Sequence, residues 1–102
     1  MAKHVTFFKM KAQPGKAAEI QKIMASQEDV ERVKKAGFQL SIVGTRKDNP
    51  DEMWGVVTWD TSENYYKNAE SPEQNKDYEQ MRALLAADPE WFDCDVLEET
   101  RA

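Results

Sequence analysis

Cysteine and histidine each occur once in this 102-residue chain, as Cys94 and His4. A single thiol cannot close an intrachain disulfide, and one His with one Cys is too few ligands for a zinc site of the usual kind. Cys94 sits in an apolar stretch and reads as a small core residue. Long apolar runs are also missing: nothing approaches the about 18 residues that span a membrane, and no apolar leader follows Met1. The expectation is a soluble, cytoplasmic protein with no membrane partner. Basic residues do not cluster more densely than Arg32, Lys34 and Lys35, and the net charge is −5. That argues against a nucleic-acid partner. The four glycines form no phosphate-cradling loop. With so few ligands and no such loop, neither metal, flavin nor haem is expected as a cofactor.

What the chain does contain suits one globular domain spanning residues 1–102, with 40% hydrophobic and 32% charged residues. A chain of this size buries roughly two-thirds of its unfolded surface. HVTFFKMK (His4–Lys11) is β-branched and aromatic, and Pro14-Gly15 punctuates it. Its alternation sets His4, Thr6, Phe8 and Met10 on one face and Val5, Phe7 and Lys9 on the other. Ile20, Ile23, Met24, Gln27, Val30 and Val33 then recur at helical spacing, with a break near Ser26 and a cap at Gly37. FQLSIVGTR (Phe38–Arg46) predicts a second strand in which Phe38, Leu40 and Ile42 alternate with Gln39 and Ser41. A polar hairpin loop over 47–52 leads to a third strand, MWGVVTW (Met53–Trp59). Cap signals at Asp60-Thr61-Ser62 and Ser71-Pro72 predict helices over 62–69 and 72–87. WFDCDVLE (Trp91–Glu98) predicts the fourth strand.

Strand, helix, strand, strand, helix, strand, with right-handed crossovers, gives a ferredoxin-like βαββαβ fold. Both helical layers then lie on one face of a four-stranded antiparallel sheet. The other face carries Trp, Phe and Val side chains, Trp54 among them, and a second copy of the chain is the simplest cover. A homodimer is therefore expected.

The residues that invite chemistry gather around the third strand. Met53, Gly55, Val57 and Trp59 share a face, and the missing side chain at Gly55 leaves room for a cavity beside Trp59. Tyr65 and Tyr66 differ by about 100° around their helix, so at most one faces that cavity. Tyr65 is assigned there. Tyr78 and Met81 are further lining candidates, with helix–sheet core as the plainer role. His4 titrates near neutrality but starts a strand, where an exposed or dimer-contact role is favoured. Asp93 and Asp95 read as charges on an exposed sheet margin.

The segments MKAQPGK, AGFQLSIV, GVVTWDTSENYYKNAESPE and PEWFDCDVLEE, in this order and spacing, resemble the antibiotic-biosynthesis monooxygenase family of dimeric α+β barrels. The resemblance implies a homodimer with a pocket between sheet and helices. It also implies oxygenation of electron-rich phenols, anthrones or quinols by O₂ without metal or flavin. Trp59 matches the family's strand-end Trp, Tyr65 the Tyr six residues later, and Arg82 is the counterpart of an arginine in the long helix. These three are the implied catalytic set, with Gly55, Val57, Tyr78 and Met81 lining the substrate pocket. Gly55 stands where anthrone-type members carry Asn, and Val43 where they carry Tyr. In the haem-degrading branch, the axial His aligns with Tyr78 and a pocket Trp with Asn68. Two functions follow: a cofactor-independent monooxygenase of a small aromatic, phenolic or quinol substrate, or a non-catalytic dimeric barrel that binds an apolar ligand or is associated with stress.

Overall fold

The computed structural model describes residues 3–25 and 27–102. Its elements are β1 (His4–Lys11), α1 (Ala17–Met24), α2 (Gln27–Ala36), β2 (Phe38–Arg46), β3 (Asn49–Trp59), α3 (Ser62–Ala69), α4 (Pro72–Arg82) and β4 (Glu90–Asp95). The four strands form one sheet in the order β2-β3-β1-β4, with every pairing antiparallel. This is the ferredoxin-like α+β fold.

Local chemistry sets the ends of these elements. The Thr61 side chain caps α3 by accepting from the Asn64 N–H, and Ser71 caps α4 by accepting from Gln74, with Pro72 in the first turn. Gly37 closes α2 at φ 117°, a left-handed conformation that favours glycine. Here Asp60 presses so close that a Cβ would meet its carboxylate. The expected helix break near Ser26 falls outside the described residues; α1 ends at Met24 and α2 begins at Gln27.

Three boundaries and the facing of one strand differ from the sequence reading. The helix expected over 72–87 ends at Arg82, because Leu85 leaves the helical path to bridge Ala12, and the Ala86 N–H donates to the Lys11 carbonyl. The loop expected over 47–52 shrinks to Lys47-Asp48, since Arg46 pairs with Asn49 and reaches across to Glu52 at 3.1 Å. The fourth strand stops at Asp95 instead of Glu98: after the Val96 N–H bonds the Lys3 carbonyl, the paired strand runs out. A bulge between Phe38 and Leu40 breaks the expected alternation. Phe38 consequently packs toward Trp59 on the helical face, while Leu40 and Ile42 point to the other.

The core lies between sheet and helices and is built from Phe8, Met10, Ala12, Ile20, Met53, Met81 and Leu85. Among the described residues no helix covers the opposite sheet face, although the segment after β4 lies beside Val5, which is 8% exposed. Phe7, Ile42, Trp54 and Phe92 are each about half exposed there, at 49, 59, 49 and 51%. Cys94, expected in the core, is exposed on this face opposite Val5.

Candidate active site

The alternation of β1 points His4, Thr6 and Phe8 inward, where each meets an inward residue of both neighbouring strands. His4 pairs with Trp59 and Asp95, Thr6 with Val57 and Asp93, and Phe8 with Gly55 and Trp91. Between these side chains and the helices lies a cavity of about 500 Å³, within the range of small-molecule sites. Its aromatic wall is Phe8, Phe38, Trp59, Tyr65, Tyr78 and Trp91, with Val57 and Met81 beside them. Trp59 meets Phe38 and Tyr65 edge-on at 6.0 and 6.1 Å.

One polar group on this wall is Asp93. Its Oδ1 accepts from the Thr6 hydroxyl at 2.7 Å, and its Oδ2 accepts from the Tyr66 hydroxyl at 3.0 Å. Thr6 is fully buried and also touches His4 Nε2 at 2.6 Å; His4 Nδ1 lies 2.9 Å from the Ser62 hydroxyl. His4 is 1% exposed and stacks on Tyr65 with ring centroids 4.1 Å apart. Burial pushes the His4 imidazole below its ordinary value, against the pull of Asp93 and Asp95, which favours the neutral ring. Burial raises the Tyr65 phenol; Thr6 opposes the rise and Asp93 adds to it. At the helical end, Arg32 of α2 donates to Asn68 at 3.1 Å and lies 3.9 Å from Asp77.

The structure gathers Trp59, Tyr65, Val57, Tyr78 and Met81 around one cavity. Tyr66 lies outside the lining and is 46% exposed, yet its hydroxyl holds the same carboxylate that Tyr65 approaches. Two residues expected at the site are elsewhere. Gly55 opens no space, because a Cβ there would come within 2.1 Å of the Phe8 ring, which already fills the gap. Arg82 turns away, donating to Asp88 at 2.9 Å and to the Leu85 carbonyl. His4 is a buried member of the site, not an exposed strand end. Asp93 is exposed, as expected of a sheet margin, and its carboxylate is also held by the Thr6 and Tyr66 hydroxyls. Alternation along β1 and β4 carried the signal for both, once the strands are set side by side.

No family model and no curated protein matches this sequence. Solved structures with the same fold do match. A protein from Chloroflexus aurantiacus provisionally named an antibiotic biosynthesis monooxygenase superposes with TM-score 0.75 at 22% identity, covering 98% of both chains. A variant of SnoaB, a cofactor-independent oxygenase from Streptomyces nogalater, gives TM-score 0.81 at 12% identity over 97% of each chain. A conserved protein from Methanosarcina mazei gives 0.79 at 17% over 93% of each. At these identities the shared property is the fold.

Proposed function

We propose that this chain is a cofactor-independent monooxygenase of a small aromatic, phenolic or quinol substrate, working in the cytoplasm as a homodimer. The observation that carries the proposal is a partly exposed carboxylate, Asp93, beside the aromatic wall of the cavity and held by two hydroxyl donors, while Arg32, Asn68, Gln74 and Asp77 make the helical end of the same cavity polar. Tyr78 and Trp91 offer apolar ring surface against which an aromatic ring stacks, with Trp59, 3% exposed, packed behind the wall. An ionised carboxylate has lone pairs beyond the two already used, so it can still accept the proton of a substrate hydroxyl or acidic methylene.

The deprotonated substrate is electron-rich enough to pass one electron to O₂, and the resulting radical pair joins to form a C–O bond. The peroxide then loses water: the O–O bond and the remaining C–H bond on that carbon break, the carbon becomes a carbonyl, and the departing oxygen leaves as water with that hydrogen and the proton that Asp93 returns. One oxygen atom ends in product and the other in water, so no external reductant is needed. The Tyr65 hydroxyl, kept protonated by its burial, is placed to donate to the developing oxyanion. Oxygen uptake against a panel of anthrones, quinols and catechols, with metals chelated, tests this. Uptake with at least one member supports the reading. Binding without uptake, across the whole panel, leaves a ligand-binding barrel instead.

The sheet face without helices supports the dimer. Half-exposed Phe7, Ile42, Trp54 and Phe92 form an apolar surface on a chain of 11.8 kDa, and a second copy covers it. Sedimentation at micromolar concentration is expected to give twice the chain mass, and Trp54→Glu to give the monomer. A wild-type species at 11.8 kDa contradicts this.

A further inference from the structure

The donors and acceptors around His4 can be assigned by counting hydrogens. Thr6 has one hydroxyl hydrogen, and an ionised Asp93 can only accept, so that hydrogen points to Asp93 Oδ1. Thr6 Oγ1 must then accept at its contact with His4 Nε2, which places the imidazole hydrogen on Nε2. Nδ1 is left as an acceptor, and it faces the hydroxyl of Ser62, a partly exposed residue in the first turn of α3. Every hydrogen in this line points the same way, from Ser62 through His4 and Thr6 to Asp93. The 3.9 Å separation of His4 Nε2 from Asp93 Oδ1 is too long for a direct hydrogen bond, and the Thr6 hydroxyl links the two.

We propose that Ser62, His4, Thr6 and Asp93 form a proton relay from the first turn of α3 to Asp93, which is itself partly exposed beside the cavity, with the His4 tautomer following the charge of Asp93. When Asp93 is ionised, the line runs toward it with the hydrogen on Nε2. When Asp93 is protonated, it donates to Thr6, Thr6 donates to Nε2, and Nδ1–H donates to Ser62. Passing from the first state to the second takes one proton from solvent at Ser62, moves one across each link, and delivers one to Asp93. The reverse passage releases a proton to solvent. His4 stays uncharged in both states, in keeping with a buried ring whose ordinary pKa burial has lowered. The groups facing that ring are Asp93 and Asp95 from β4 and Tyr65 and Tyr66 from α3. Within the monooxygenase reading, on which this role in turnover rests, the relay can carry away the proton that Asp93 takes from substrate and bring one back to Asp93 before its return to the peroxide. His4, Thr6 and Ser62 are then positioning residues, acting through Asp93.

Because His4 is the chain's one histidine, its two ring nitrogens give a single unambiguous set of NMR signals in ¹⁵N-labelled protein. The wild type at neutral pH is expected to hold the hydrogen on Nε2. Thr6→Val removes the only acceptor assigned to Nε2–H, while Ser62 can accept as readily as donate, so the hydrogen moves to Nδ1. Thr6→Ser keeps the hydroxyl and the wild-type tautomer. A wild-type hydrogen on Nδ1, an imidazolium at neutral pH, or a Thr6→Val ring unchanged from wild type overturns the relay. With a turned-over substrate, Thr6→Val is expected to lower kcat at unchanged KM and Thr6→Ser to restore it; a Thr6→Val enzyme at the wild-type rate overturns the relay's role. If no substrate is turned over, the monooxygenase reading falls, and the ring measurement still decides the hydrogen-bond direction.

Discussion

Asp93→Asn is expected to lower turnover by ~10²-fold or more, the scale of losing a positioned general base. The amide is nearly the same size as the carboxylate but takes no proton from substrate. It also has one oxygen where the carboxylate has two, so either Thr6 or Tyr66 loses its acceptor. Because the aromatic wall of the cavity is untouched, binding of an aromatic ligand should stay within a few-fold of wild type. Tyr66→Phe is the graded comparison. It removes the exposed donor and leaves the buried Thr6 bond, so its effect on turnover should be much smaller. Oxygen uptake and ligand titration on the same samples separate these effects. Unchanged turnover in Asp93→Asn removes the carboxylate from the mechanism. Equal losses of turnover and binding show that it holds the ligand instead of accepting a proton.

The largest effect on stability is expected at Gly55. The Phe8 ring, 3% exposed and directly across the strand pair, lies over this glycine with its Cζ 2.1 Å from where a Cβ would be. Phe8 cannot swing aside freely, because the Trp91 ring stands 5.3 Å from it on the next strand. Overpacking a tight core costs ~1–3 kcal/mol. Gly55→Leu adds four carbons at a position that lacks room for one, so the cost should reach or exceed the top of that range. A loss of ~3 kcal/mol lowers Tm by ~12 °C or more in a domain of this size. Gly55→Leu combined with Phe8→Ala should recover part of the loss, since the two side chains compete for one space. Thermal melts of the two single variants and the double variant measure the coupling. A Gly55→Leu melt that coincides with wild type would show that the space beside Trp59 is open after all.

These two positions show where the sequence speaks clearly and where it does not. Period-two alternation sorted the residues of β1 and β3 into their two faces, and the paired caps Thr61 and Ser71 divided the second helical region correctly. Such features depend on neighbours a few residues away. The glycine at 55 reads as a gap only while its strand is considered alone. The ring that fills it comes from position 8, and nothing local announces that. Likewise, His4 meets Ser62 across 58 residues and Thr6 meets Asp93 across 87, so each looks like an ordinary strand-end or margin residue in isolation. The bulge after Phe38 is another such case. One extra residue reverses the facing of Leu40 and Ile42 and is fixed by pairing with β3, not by composition. The tyrosine pair was partly legible. Helical geometry allows only one of the two into the cavity, assigned as Tyr65, but both reach toward Asp93, whose place is set by the sheet.

Turnover under ¹⁸O₂ with metal-depleted protein and a substrate found by oxygen uptake tests the central claim most directly. The account predicts product carrying one labelled oxygen atom, with the second in water, at a rate that chelators do not change. Product that carries no label, or both labelled atoms, or a rate that collapses when metal is removed, would contradict it.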